Sequence, residues 1–297
     1  MSTESLVAPG SVRPRSGRRS AGRAASTGER NWGAHIVLII ASLAMLFPFL
    51  WQIKLSVSSE ADIMAVPPTF WPTSFEWQNF VEVFQRLPLL NQFWVSVAVT
   101  LLRTVAQIVL CSMAGYAFAR MRFPLKGVLL GLILSILMVP GQVYLIPQYQ
   151  IIQGFGLLDT IVGIALPGLF SAFGTFLMMQ FFRSMPLELE QAARLDGCNS
   201  WQIFWRVMLP LAKPGIVSLA IITILSSWND LLWPLVIASS PENMPLSVGL
   251  ATLQGYRSSI HTGVLMAAAL LAMAPVLVSF IILQRRVVEG IAFAGLK

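Results

Sequence analysis

A polar segment between two long apolar stretches runs from Arg183 to Pro214 and reads RSMPLELEQAARLDGCNSWQIFWRVMLPLAKP. Ser184 is a candidate N-cap, Pro186 suits an early helical position, and the glutamates that follow suit the positive end of a helix dipole. Gly197 fits the left-handed residue that ends such a helix. The first half of the segment therefore predicts a short helix that stops at Gly197.

The second half of the segment predicts a second helix. Asn199 and Gln202 have the spacing of a capping box. Large apolar side chains then recur at i, i+3, i+4 and i+7, at Trp201, Phe204, Trp205 and Met208. Pro210 and Pro214 are expected to end this helix. The segment is thus predicted to be a helix-turn-helix, polar on one side and aromatic on the other, that lies against a membrane domain and presents its first helix outward.

The composition indicates an integral membrane protein. The chain has 297 residues, of which 56% are hydrophobic and 11% charged, and its mean hydropathy of +0.73 is too high for a soluble globular protein. Residues 1–32 are rich in Ser, Gly, Ala and Arg, so a disordered tail is expected there rather than a cleaved signal peptide. Six arginines in this tail carry much of the net charge of +7, and the remaining charge does not indicate a nucleic-acid surface.

Six apolar segments predict transmembrane helices, because about 20 helical residues cross roughly 30 Å of hydrocarbon. They cover about residues 35–57, 92–119, 160–182, 215–238 and 262–283, with a further span that starts near residue 127 and meets Pro140. An exposed stretch at 58–89 and a short connection at 146–158 lie between spans. The predicted fold is therefore an all-α membrane protein, with a permease domain at 33–286, the helix-turn-helix at 184–213 between spans four and five, and a tail at 287–297.

The distribution of basic residues predicts the orientation. Four groups of basic residues fall on one side of the predicted membrane: the tail arginines, the basic residues after span two, those of the helix-turn-helix and those at the C-terminus. Arg86 and Arg257 fall in loops on the other side. The positive-inside rule then places both termini and the helix-turn-helix in the cytoplasm.

No residue set in the sequence indicates catalysis. A Gly-rich phosphate loop is missing, so ATP binding by that route is not expected. His35 and His261 are far apart, and Cys111 and Cys198 have no partner at ligand or disulfide spacing, so neither a metal site nor a disulfide is predicted. The chain is expected to be no enzyme and to bind no cofactor, which leaves a partner or an ion gradient as the source of energy.

The polar segment resembles the permease subunits of binding-protein-dependent ABC importers. Their loop motif has Glu-Ala-Ala, three residues, Gly, nine residues, an aliphatic residue, any residue and Leu-Pro; the matching positions here are Gln191-Ala192-Ala193, Gly197, Val207 and Leu209-Pro210. The surrounding residues are similar to the carbohydrate branch, specifically its maltose-type second permease. The motif glutamate is Gln191 here, so the resemblance implies that Glu190 or a neutral hydrogen bond meets the ATPase instead.

The resemblance implies a type I ABC importer permease fold in a bacterial plasma membrane. It implies a second homologous permease, an ATPase dimer that holds ATP and Mg, an extracytoplasmic solute-binding protein and a carbohydrate substrate. The positions that would couple to the ATPase are Glu188, Glu190, Gln191, Ala192, Ala193, Asp196 and Gly197. Transport would then proceed by alternating access.

Polar residues inside apolar spans are expensive in lipid and usually face a bundle interior or a cavity. Asn229 and Asp230, flanked by Trp228, are candidates for the translocation path because amide, carboxylate and indole groups suit sugars. The alternative is an internal hydrogen-bonded clamp with Arg103 that touches no substrate.

Other functions also remain open. The helix-turn-helix is compatible with an amphipathic element that rests on lipid headgroups. An ion-gradient-driven carrier would show inverted repeats, which the sequence lacks. A structural membrane protein would make the motif spacing a coincidence, and within the importer family a non-sugar solute is possible.

Overall fold

A computed structural model describes residues 32–255 and 261–295, and every regular element within these ranges is helical. The chain divides into two compact units, residues 1–47 and residues 48–297. The predicted tail at 1–32 lies outside the described residues except for Trp32, which begins helix α1 (Trp32–Ser56). From Ile36 to Phe47 the large apolar side chains of α1 are exposed, as expected of a helix that faces lipid.

The remaining helices, all in the second unit, range from 3 to 34 residues in length. They are α2 (Glu60–Met64), α3 (Gln78–Arg86), α4 (Leu89–Arg120), α5 (Lys126–Ser135), α6 (Leu145–Gly154), α7 (Ile161–Ala165), α8 (Ala172–Ser184), α9 (Glu188–Leu195), α10 (Ser200–Gln202), α11 (Leu209–Leu211), α12 (Lys213–Trp228), α13 (Leu232–Ile237), α14 (Leu246–Gly255) and α15 (Thr262–Gly295). Short 3-10 turns follow α5 and α7, a third precedes α6, and a π-helical segment, Ile203–Met208, joins α10 to α11.

Helix α4 is the central element of the second unit. It packs along α8 and α12 and also contacts α7 and α14. Gly115 is placed where a Cβ atom would lie 2.7 Å from the Cβ of Met178 and 2.8 Å from the backbone nitrogen of Met179, so α4 and α8 can approach closely only because this position has no side chain.

By length and hydropathy, α1 and α4 are unbroken candidate spans. Three further pairs of helices would be spans if each bent pair counts as one: residues 126–154, bent by 100°; residues 161–184, bent by 48°; and residues 200–228, bent by 75°. The apolar stretch Thr262–Val278 of α15 is shorter. Within the described residues, α1, α4 and α15 are continuous helices and the other predicted spans are interrupted, so the count of six spans stays a prediction.

The observed helix bounds correct three predicted boundaries. Residues 145–154 form helix α6 rather than a plain connection. The fifth span does not run continuously to residue 238, because α12 ends at Trp228 and α13 starts only at Leu232. The backbone of α15 remains helical to Gly295, beyond the predicted end near residue 283 and through most of the predicted tail at 287–297. Hydropathy marks where a chain is apolar, and it does not report such interruptions of helical geometry.

The helix-turn-helix forms, with different boundaries. Gly197 has φ of +83°, and Asn199 and Gln202 exchange hydrogen bonds of 2.8 and 2.9 Å, which confirms the predicted stop and capping box. Ser184 does not cap α9. It is the last residue of α8, and its hydroxyl donates to the carbonyl of Phe181 at 2.8 Å.

The two prolines also act differently from the prediction. Pro210 lies inside α11 and Pro214 lies in the first turn of α12, so neither ends the second helix. The chain changes direction at Ala212 between them. Proline is tolerated at the first positions of a helix, where its missing N–H has no intrahelical partner to lose.

Candidate functional site

The helix-turn-helix is fixed to the helix bundle by an aromatic cluster. The ring of Tyr116 in α4 lies 5.5 Å from that of Phe182 in α8 and 5.3 Å from that of Phe204 in the π-helical segment. The fully buried Met208 and the small Ala193 of α9 complete this core. The predicted aromatic face therefore packs inward at Phe204 and Met208.

Two of the predicted aromatic residues do not join this core. Trp201 is 58% exposed and Trp205 is 39% exposed. The π-helical turn over 203–208 changes the angle between successive side chains, so the regular spacing that the sequence indicated does not place all four on one face.

The first helix, α9, has one buried and one exposed side. Ala193 and Glu190 are buried at 8% and 6% exposure. The other predicted coupling residues are exposed: Glu188, Gln191, Ala192, Asp196 and Gly197. Leu195, which the sequence analysis did not select, is 90% exposed on this outward side. No local pattern in the sequence marks this position as exposed.

Glu190 is held inside the protein. Its Oε1 lies 3.2 Å from Nε of Arg120, an ion pair whose angles fall outside hydrogen-bond geometry, and both side chains are less than a tenth exposed. Nη2 of Arg120 also donates to the carbonyl of Phe182 at 2.6 Å and to that of Met185. In the sequence, Arg120 was one of the basic residues after span two, and nothing in the pattern indicated its pairing with Glu190.

A second ion pair, partly buried, is made by Arg103, which also lies on α4. Nη1 of Arg103 lies 2.8 Å from Oδ2 of Asp230, and Nη2 donates to the carbonyl of Ile164 at 2.7 Å. A longer contact of 3.4 Å joins Nε to the carbonyl of Ala165. Arg103 thus bridges α7 to the break between α12 and α13. The ion pair has the partners of the clamp that was the alternative to a substrate site, and the lack of substrate contact stays a prediction.

Uncharged side chains next to the Arg103–Asp230 pair make further hydrogen bonds between the same helices. Gln107 donates from Nε2 to the carbonyl of Gly168 and accepts from the hydroxyl of Thr223, both at 2.8 Å. Trp233, which is buried, donates from Nε1 to the carbonyl of Ile164 at 3.2 Å. These bonds satisfy carbonyls freed where the helices break, and burial requires such partners. A polar amide within an apolar span was the sequence signal that could have identified Gln107 as part of this hydrogen-bonded region.

A cavity of about 240 Å³ opens beside the clamp. Its lining combines one indole and two neutral polar side chains with apolar ones: Trp228, Asn229, Leu246, Ser247, Leu250, Ala269, Ala272, Met273 and Val276. Trp228 packs edge to face on Phe93 at 5.9 Å, and Asn229 is exposed. The predicted residues Trp228 and Asn229 thus reach a cavity, whereas Asp230 is held by Arg103 with its side chain 24% exposed.

A third carboxylate is held without an arginine. Oδ1 of Asp159 accepts from the backbone N–H groups of Ser239 and Ser240 at 2.9 and 3.0 Å, and the Ser240 hydroxyl donates to Oδ2. Partial desolvation acts to raise the pKa of Asp159, but the hydrogen bonds from Ser240, Ser239 and Asn243 outweigh it and lower the pKa. Asp159 thereby ties the loop before α7 to the loop after α13.

Among the described residues, no group of three or more His, Cys, Asp or Glu side chains could hold a metal ion.

Known proteins resemble the chain over most of its length. The family model described as "Binding-protein-dependent transport system inner membrane component" matches residues 107–292. The sn-glycerol-3-phosphate transport system permease protein of Yersinia pestis bv. Antiqua is 34% identical over 274 residues, which cover 86% of this chain and 94% of that protein. The arabinooligosaccharides transport system permease protein of Halalkalibacterium halodurans is 30% identical, with 90% and 96% covered.

A lactose transport system permease protein of Rhizobium radiobacter is 31% identical over 254 residues, covering 86% of this chain and 92% of that protein. The fold is also similar to a chain in the crystal structure of a bacterial ABC transporter involved in the import of the acidic polysaccharide alginate, with a TM-score of 0.74 at 24% identity, covering 85% and 94% of the two chains. The chain described here therefore belongs to the family of binding-protein-dependent transport system inner membrane components and is a multi-pass membrane protein.

Proposed function

We propose that this chain is a permease subunit of an ATP-driven carbohydrate importer, forms half of its translocation path, and takes its energy from a separate ATPase dimer. The observation that carries this proposal is the outward side of α9, which exposes motif residues of the family while its other side is fixed to the bundle. The sugar-related names of two relatives support the carbohydrate class.

The proposed orientation places both termini and the helix-turn-helix in the cytoplasm. Arg120, Arg183 and Arg206 lie near this element, and the basic residues of the sequence concentrate on the same side of the proposed topology. The six proposed spans are α1, α4, the α5–α6 region, α7 with α8, α12 with α13, and α15. The ATPase would then meet α9 in the compartment that contains ATP.

The proposed ATPase contact is made by the exposed residues of α9. Glu188 and Gln191 supply polar groups, and Leu195, at 90% exposure, supplies an apolar anchor. Exposed apolar side chains rimmed by polar ones are typical of protein interfaces. Asp196 and Gly197 shape the turn, and the buried Ala193 allows α9 to pack closely on the bundle.

The proposed translocation path includes the cavity beside Trp228 and Asn229. Among the described residues that line it, none carries a formal charge, and indole, amide and hydroxyl groups suit the faces and hydroxyls of a neutral sugar. Asp230 is proposed to act through Arg103 as part of the clamp. The opposite wall would come from the second, homologous permease, and a solute-binding protein would deliver the substrate outside.

A second candidate substrate class is a polyol phosphate, favoured by the 34% identity to an sn-glycerol-3-phosphate permease. A phosphate would require basic groups on the path. The neutral lining of the cavity on this chain favours the uncharged carbohydrate.

The proposal is tested by purifying the tagged chain in mild detergent and identifying bound proteins by mass spectrometry. A second permease and an ATPase should be recovered, and reconstituted vesicles should take up a radiolabelled disaccharide mixture only with ATP. A chain that purifies alone and transports with an ion gradient and no ATP is a secondary carrier. Uptake of glycerol 3-phosphate in preference to sugars supports the second substrate class.

A further inference from the structure

The C-terminal end of α4 is the point where the bundle holds α9. Arg120 is the last residue of α4, Phe182 belongs to the last turns of α8, and Met185 lies in the linker that leads into α9. The guanidinium group of Arg120 therefore contacts α8, the linker and α9. It donates to the carbonyls of Phe182 and Met185 and pairs with Glu190 in the first turn of α9.

This contact is sealed from water. The side chains of Arg120 and Glu190 are 6% and 8% exposed. Charges in such surroundings attract each other more strongly than at a surface, and neither can leave its partner without remaining buried and unpaired. α9 therefore cannot shift relative to α4 as easily as a helix held only by apolar contacts.

The buried position also separates two carboxylates of the same helix turn. Glu188 is exposed and Glu190 is buried. If an ATPase meets the outward side of α9, Glu188 is available to it and Glu190 is not. The substitution of the motif glutamate by Gln191 is therefore not compensated by Glu190 in this conformation.

We propose that Arg120 and Glu190 are positioning residues that transmit displacement of α9 into α4, and that Glu190 makes no contact with the ATPase. This inference rests on the proposed function. The displacement would travel along one continuous helix from Arg120 to Arg103, about 25 Å at ~1.5 Å per residue, and so reach the clamp beside the cavity.

The test uses the full complex, with Cys198→Ser and Asn229→Cys in the permease, so that a maleimide reports access to the cavity. Mg-ATP with vanadate is the probe. In the parent protein the labelling rate at position 229 should change on addition of the probe. The Glu190→Gln complex should contain the ATPase at the parental stoichiometry and hydrolyse ATP at the parental basal rate. The probe-induced change in labelling rate should be smaller than in the parent, on the order of tenfold.

Glu188→Gln is the matched variant on the exposed side of the same turn. It should weaken retention of the ATPase several-fold, the reverse of the Glu190→Gln pattern. The double variant Arg120→Gln with Glu190→Gln should lose no more of the response than the worse single variant, because the two residues act as one unit.

Three results would overturn the proposal: release of the ATPase by Glu190→Gln, an undiminished labelling response in that variant, or additive losses in the double variant. If Glu190→Gln does not fold, Glu190→Asp is tested instead, because it keeps the charge and shortens the side chain. Glu190→Asp should lose part of the labelling response. A full response in this variant would count against the proposal. If the parent protein retains no ATPase at all, the proposed function itself fails, which is a separate outcome.

Discussion

Two arginines on α4 make nearly the same set of contacts in different surroundings. Arg103 and Arg120 each pair with one carboxylate and donate to main-chain carbonyls of the α7–α8 region. The carboxylate at Arg103 is Asp230, which is 24% exposed, at the break in a helix and beside a cavity. The carboxylate at Arg120 is Glu190, which is 8% exposed.

The difference in exposure means that water can reach the Arg103–Asp230 junction and not the Arg120–Glu190 junction. Water that reaches Asp230 can replace a carboxylate or a carbonyl as the helices around the cavity move. Water does not reach Glu190 in this way, so its pair holds α9 and α4 together. Access to solvent, rather than residue type, distinguishes the two junctions.

The largest expected effect comes from removing each carboxylate. Glu190→Ala should lower stability by about 3–5 kcal/mol because it leaves Arg120 buried and unpaired. Asp230→Ala should lower it by less, because its site is partly hydrated. The thermal unfolding midpoint of the purified complex measures both, and equal effects would show that the two junctions do not differ in access.

The next effect tests how rigidly Arg103 is held. A Cβ at Gly168 would lie 2.5 Å from its Nε and 2.8 Å from its Cδ. Because Arg103 is fixed by Asp230 and by carbonyls, Gly168→Ala should destabilise by about 1–3 kcal/mol.

The matched control is Gly131→Ala in α5, where a Cβ meets nothing within 4 Å, and this variant should stabilise by roughly 0.5–1 kcal/mol. If Gly168→Ala is as harmless as the control, the guanidinium of Arg103 moves freely and its clamp is weaker than the geometry indicates.

A smaller effect is expected at the turn that follows α9. Asn199→Ala removes the capping box with Gln202 and should lower stability by about 1 kcal/mol. The loss should be seen as faster amide hydrogen exchange in residues 185–211, which include the Glu190 side of the Arg120 junction, and it should leave exchange near Arg103 unchanged. Faster exchange at both places would mean that the two junctions unfold together.

The smallest effect is the pH dependence of stability that comes from Asp159. This carboxylate is held by uncharged hydrogen-bond donors and not by an arginine. The pKa of this carboxyl lies below its ordinary value of 3.8, so its contribution to stability is complete above that pH and is lost as the pH falls through the lowered value. Asp159→Asn should remove this acid-dependent part of the unfolding curve. A loss that begins near pH 6 would contradict the assignment.

Local sequence patterns were reliable where short-range chemistry determines the structure. Gly197 adopts the left-handed conformation, and Asn199 with Gln202 forms the predicted cap, since each needs only neighbours in the chain. The polar types of Arg103 and Asp230 inside apolar spans also predicted their pairing. Ser184 was assigned wrongly because α8 continues through it, which depends on packing rather than on the residue itself.

The sequence by itself determined that this is a helical membrane protein with an ABC-importer-type loop, because hydropathy, basic-residue distribution and motif spacing are properties of the chain alone. The tertiary structure decided which residues are available to partners. It buried Glu190 against Arg120, left Leu195 exposed and interrupted α12 at Trp228. The physical reason is that burial and ion pairing depend on segments far apart in the chain, and no local pattern records which of two neighbouring glutamates will face the core.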